Sequence, residues 1–206
     1  MTPTSPEQLA AAGYRLHHEL AHDALVPFVK AQLKPLSPVS VFYWVFNLLL
    51  VAAILYFLFA QPRMAWPVAL SNLSLGFLLF LTLLLPLHEW VHGLVYRWLG
   101  APKVRYVAHW RQLVFYCVAD QFVAGPRSFL WVALAPFVLI NSLLLLALAF
   151  AGPALFYVLL GALLLHSGGC SGDFGLVAYF YNHRHQHPVT YDDVGLQKSF
   201  FYLKEA

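Results

Sequence analysis

The chain has 206 residues, of which 61% are hydrophobic and 10% charged, against about 25% charged in ordinary soluble domains. Its net charge of +3 comes without a basic cluster, which leaves no footprint for nucleic acid. Its two cysteines, Cys117 and Cys170, are too few for a disulfide framework or a Cys-rich zinc site.

Residues 1–38 are a polar leader punctuated by proline. Leu9, Gly13, Leu16, Leu20 and Ala24 fall on one helical face, and Arg15, His18, Glu19 and His22 on the other. That pattern predicts an amphipathic helix lying on the membrane surface and ended around Pro35 and Pro38. The leader is too long for an ordinary signal-peptide n-region, so no cleavable signal is expected. A first apolar run, 41–60, is long enough to span a bilayer. Gln61, Pro62 and Arg63 form a turn, and a second span begins near Pro67 and continues to about Leu99. Pro86 is expected to bend it and Gly100 to end it. Residues 101–127 mix charge with alternating stretches, Val104 to Val107 and Leu113 to Val118, and predict short strands or a re-entrant hairpin. A third span covers 128–150. A fourth runs from Ala154 to about Tyr181, interrupted at Ser167, Gly168 and Gly169. Residues 182–206 form a polar tail.

The expected fold is therefore an all-α integral membrane protein with four transmembrane helices. A leader (1–38), a membrane domain (39–181) and a tail (182–206) make up the chain. Lys and Arg concentrate in the leader, the 100–127 segment and the tail, while the two remaining loops hold only Arg63. By the inside bias of basic residues, both termini and the middle loop face the cytoplasm of a multi-pass cell-membrane protein.

His88-Glu89-Trp90-Val91-His92 closes the apolar part of the second span. Residues four apart share a helix face, so His88 and His92 can hold one metal ion, with Glu89 placed as general base. No charged side chain occurs from Val68 to Leu87. A carboxylate at membrane depth costs roughly 2.5 kcal/mol or more, which marks Glu89 as functional. Asp173 is the one acidic residue of the fourth span. Counted from the outer ends at 1.5 Å per residue, His88 and Asp173 reach similar depth. The expected site is therefore Zn2+ on His88, His92 and Asp173, with the fourth position open for water.

Alternatives remain at this point. His166 and Cys170 share a face with Asp173 if the fourth helix stays regular, and either could replace it as third ligand. His18-Glu19-Leu20-Ala21-His22 repeats the motif on the polar face of the leader, where a solvated reading suffices. His109 and Asp120 reach the site only if the middle loop is re-entrant. Asn141, inside the third span, reads as an interhelical hydrogen bond. His183, His185 and His187 read as a solvated tail.

The stretch from His88 to Gly100, with Lys103-Val104-Arg105-Tyr106, Leu134-Ala135-Pro136 and Ser171-Gly172-Asp173, resembles a bacterial membrane family named for zincin peptidases, a domain of unknown function. The likeness covers about residues 70–180. That family is distantly similar to site-2-type intramembrane metalloproteases, in which an H-E-x-x-H of one helix and an Asp of a later one bind zinc. The resemblance implies the same roles for His88, His92, Asp173 and Glu89. The site-2 Asp lies in a Leu-Asp-Gly motif with an Asn-Pro nearby, whereas here it lies in Ser171-Gly172-Asp173-Phe174-Gly175.

The function expected is a zinc-dependent membrane endopeptidase acting on a membrane protein or peptide in or near the bilayer. A non-catalytic scaffold of zincin fold, or a haem- or metal-handling membrane protein using His88, His92 and His166, are the competing readings.

Overall fold

Proline and serine set the starts of the long helices. The computed structural model describes residues 5–109 and 114–205. A short helix, α1 (Leu25–Gln32), precedes α2 (Pro38–Leu55). Ser37 caps α2 reciprocally with Ser40, and Pro38 occupies the first turn, where its missing N–H costs nothing. A π-helical turn, Tyr56–Ala60, extends it. α3 (Trp66–Leu79) passes through a second π-turn, Phe80–Leu84, into α4 (Leu85–Trp98). Pro86 lies just past that turn, where the second span was expected to bend. α5 (Pro126–Phe150), α6 (Pro153–Gly169) and α7 (Ser171–Asn182) complete the helices.

Among the described residues, four continuous runs are long and apolar enough to cross a membrane: Pro38–Ala60, Trp66–Trp98, Pro126–Phe150 and Pro153–Asn182. Their outward faces expose Leu48, Phe59, Leu83, Leu143, Leu146 and Phe150, a surface suited to lipid.

The α3–α6 crossing sets the depth of the site. A Cβ on Gly76 would lie 2.3 Å from the Val158 carbonyl oxygen, and one on Gly161 would lie 2.4 Å from that of Leu73. Backbone therefore meets backbone, as small residues permit between membrane helices. This crossing packs the second and fourth runs side by side.

Among the described residues, two small sheets lie beyond the helix ends. β1 (Tyr14–Ala21), β4 (Val189–Asp193) and β5 (Lys198–Lys204) form an antiparallel sheet in the order β1-β5-β4. Its register runs from Tyr14 opposite Lys204 to Ala21 opposite Lys198, with an irregularity between Leu16 and His18. β2 (Val104–His109) and β3 (Val114–Ala119) form an antiparallel pair. Bridges from Asp120 to Asp192 and from Ala124 to Thr190 tie this middle segment to β4.

The amphipathic helix expected in the leader is corrected by β1. Apolar residues at 16, 20 and 24 fit a helix, but a spacing of four also fits a period of two. Gly13 turns the chain at φ 78°, outside the helical region, and β5 supplies a hydrogen-bonding edge. Helix forms only afterwards, over Leu25–Gln32. The strands expected between the second and third spans are present as β2 and β3.

Candidate metal centre

α4 presents His88, Val91, His92 and Tyr96 inward and Trp90, Leu94 and Trp98 outward. The two histidines are each 7% exposed. Asp173 sits in the first turn of α7, where a helix N-terminus favours a carboxylate. It reaches that place because the fourth run breaks at Cys170, between α6 and α7. The Gly168 carbonyl near the break accepts a hydrogen bond from Tyr43 Oη, at 2.9 Å. The interruption expected at Ser167 to Gly169 thus falls at the end of α6, and it aims Asp173 at α4.

His88 Nε2 lies 3.1 Å from Asp173 Oδ2, His92 Nε2 lies 3.2 Å from Asp173 Oδ1, and the two Nε2 atoms are 3.0 Å apart. Zinc bonded tetrahedrally at 2.0–2.2 Å separates its ligand atoms by about 3.3 Å. The donor set of two imidazoles and one carboxylate fits that ion in chemistry and in spacing. His166 and Cys170 approach the opposite edge of the His88 ring, at 3.2 and 3.9 Å from Nδ1. They form a second grouping with His88, on the ring nitrogen opposite the one that faces Asp173.

His92 is held by a device that the sequence reading missed. Its Nδ1 lies 2.8 Å from the Val132 carbonyl oxygen, which can only accept, so Nδ1–H donates, and in the neutral ring that a metal ligand requires the lone pair is then on Nε2, on the Asp173 side. Val132 lies inside α5, where its carbonyl would normally bond to the N–H of residue 136. That residue is Pro136, which has no N–H. The signal was present in the sequence as a proline four residues after Val132.

Glu89 is half-buried beside the histidines, and its carboxylate accepts a hydrogen bond from the backbone of Cys117 in β3. It lines a cavity of about 500 Å³ together with His88, His92 and Asp173. The remaining walls are largely apolar, among them Leu25, Phe129 and Phe201. The far side carries Tyr116, Asp192 and Ser199, contributed by β3, β4 and β5. Tyr116 Oη lies 3.1 Å from His22 Nδ1, and Ser199 Oγ donates to Asp192. Burial pushes the Asp192 carboxyl up to about 6, and the nearby Asp120 charge adds to the rise against the Ser199 hydrogen bond.

The second H-E-x-x-H does not gather. His18 lies in β1 and His22 just past its end, so four extended steps of about 3.3 Å put them roughly 13 Å apart. His18 packs on Phe28 and Tyr179, Glu19 pairs with Lys198, and His22 is buried beside Tyr116. Asp120 accepts from the Val194 N–H, away from the cluster. The His109 side chain lies outside the described residues. His183 packs on His17 and Tyr179, and it does not join the cluster at His88. Asn141 makes the interhelical hydrogen bond expected of it, to His166.

The sequence profile of a family described as "Putative zincin peptidase" matches residues 81–187. That stretch holds α4, the β2–β3 pair, α5, α6 and α7, and so every residue of the cluster. No curated protein and no solved structure matches the chain.

Proposed function

Because the chain belongs to this zincin peptidase family, we propose that it is a zinc-dependent membrane endopeptidase, with His88, His92 and Asp173 as the metal ligands and Glu89 as general base. The observation that carries the reading is the meeting of His88 Nε2, His92 Nε2 and the Asp173 carboxylate within hydrogen-bond distance, beside Glu89, in one cavity.

Bound zinc supplies Lewis acidity, which acidifies water and polarises a peptide carbonyl. The rest falls to the chain. His92 and Asp173 fix the ligand geometry from two helices. Glu89 takes a proton from the attacking water and returns it to the leaving nitrogen. The Cys117 backbone hydrogen bond keeps its carboxylate on the cavity side of α4. The apolar walls exclude bulk water and suit an extended apolar segment, in keeping with a membrane protein or peptide as substrate.

The haem reading has no such support. His88 and His92 share one helix face with adjacent Nε2 atoms, so they cannot serve opposite sides of a macrocycle.

Zinc per chain in detergent-purified protein tests the proposal. We expect about one zinc in the wild type, lost in His88→Ala and Asp173→Ala and retained in His18→Ala. A wild type that takes up no zinc after reloading overturns it.

A further inference from the structure

The imidazole of His88 has two working edges. Nε2 faces Asp173 and His92, and Nδ1 faces away, into the helical core. There it lies 3.2 Å from His166 Nε2, and His166 Nδ1 in turn lies 2.8 Å from Asn141 Oδ1. All three residues are buried, at 7%, 1% and 3% exposure, among the apolar side chains of α4, α6 and α5.

Hydrogen-bond logic runs one way through this row. Asn141 Oδ1 can only accept, so His166 Nδ1 carries the proton. A neutral His166 then presents a lone pair at Nε2, which accepts from His88 Nδ1–H. A neutral His88 with its proton on Nδ1 has its lone pair on Nε2, facing Asp173. The row therefore selects the tautomer that a metal ligand needs.

Polar side chains at this depth are costly, and Asn141 Nδ2 has no hydrogen-bond partner among the described residues. A packing role would be met more cheaply by leucine. Both histidines of the cluster are thus set from α5, which supplies no ligand: His92 by the carbonyl that Pro136 leaves free, and His88 by Asn141 through His166.

We infer that Asn141 and His166 are positioning residues for zinc, acting through His88 by fixing its tautomer and ring plane. This rests on the proposed zinc site. Outer partners of this kind are worth 10- to 100-fold in metal affinity.

The test is zinc affinity of the full-length protein in detergent, measured by chelator competition, with zinc stoichiometry and the thermal unfolding of the zinc-free form recorded alongside. Asn141→Leu removes the acceptor, and Asn141→Asp keeps one. We expect Asn141→Leu to weaken zinc binding about 10- to 100-fold with one zinc still bound at saturation. Asn141→Asp should stay within a few-fold of wild type. Asn141→Asp carries the test if the leucine variant does not fold, because a carboxylate that weakens binding 10-fold or more contradicts the relay.

Unchanged affinity in Asn141→Leu, with normal zinc in the wild type, overturns the relay and leaves the zinc site standing. Two zinc ions per chain, the second lost in Cys170→Ser, also overturns it, since His88 Nδ1 would then be a ligand to a metal held with His166 and Cys170. A wild type without zinc removes both readings.

Discussion

Glu89 and Asp173 are both carboxylates set within long apolar helical runs, yet their partners differ. Asp173 is engaged by two imidazoles, while Glu89 accepts from one backbone group and keeps an edge on the cavity. Glu89→Gln should therefore retain about one zinc while peptide hydrolysis falls roughly 10²- to 10⁴-fold, the usual worth of a general base. Zinc content and turnover measured on the same preparation check this, and full activity in the glutamine variant would favour a non-catalytic scaffold. Asp192 gives a different signal. Its folded-state value of about 6 lies above the ordinary 3.8, so the acid form is favoured by folding. That contribution is complete below the ordinary value and is lost as pH rises through about 6. The loss is of the order of 3 kcal/mol above it. The wild type should melt higher at pH 5 than at pH 7.5. Asp192→Asn, which still accepts from Ser199, should melt higher than wild type at pH 7.5 and show a smaller difference between the two pH values. Thermal unfolding in detergent at both pH values decides it, and a difference unchanged by the substitution would assign the pH dependence to another group.

Elements place these residues, and the α3–α6 crossing has the least slack. Valine at Gly161 would drive its Cβ into the Leu73 carbonyl, which is backbone and cannot swing aside. Gly161→Val should cost about 1–3 kcal/mol by overpacking and lower zinc affinity by moving α4 relative to α7, whereas Gly152→Ala, in open space, should do neither. Melting and zinc titration of the two variants make the comparison. The long helices were legible in sequence because charge is excluded from them, and the pairing of His88 with Asp173 followed from counting depth along two such runs. Less local features were not. β1 was hidden because apolar residues four apart satisfy strand and helix alike, and only its partner β5, far along the chain, decides between them. The capture of His92 by Val132 depends on a helix–helix contact, although Pro136 advertised the free carbonyl. That His166 and Cys170 meet a different edge of His88 from Asp173 could not be read from spacing along one helix.

At the scale of the whole molecule, the leader, the middle segment and the tail converge on one end of the helices, through the β1-β5-β4 sheet and its bridges to Asp120 and Ala124. Most of the Lys and Arg residues lie in those three segments, so the inside bias would put this end in the cytoplasm. Reporter fusions or cysteine labelling at positions in the leader, at 103 and in the tail should all report the cytoplasmic side, and position 63 the opposite one. A split result would contradict the shared sheet. The same sheet also orders events in time. β1 is made early, but Ala21 must wait for Lys198 and Tyr14 for Lys204. At 5–20 residues per second that delay is roughly 10–40 s, long compared with helix formation. Throughout it, the apolar cavity lacks the wall given by Asp192, Ser199 and Phe201. A ribosome-bound chain therefore carries its proposed metal site open on one side and its first strand without a neighbour. Closure of the chamber becomes a late step of biogenesis, reached only once β5 has been made.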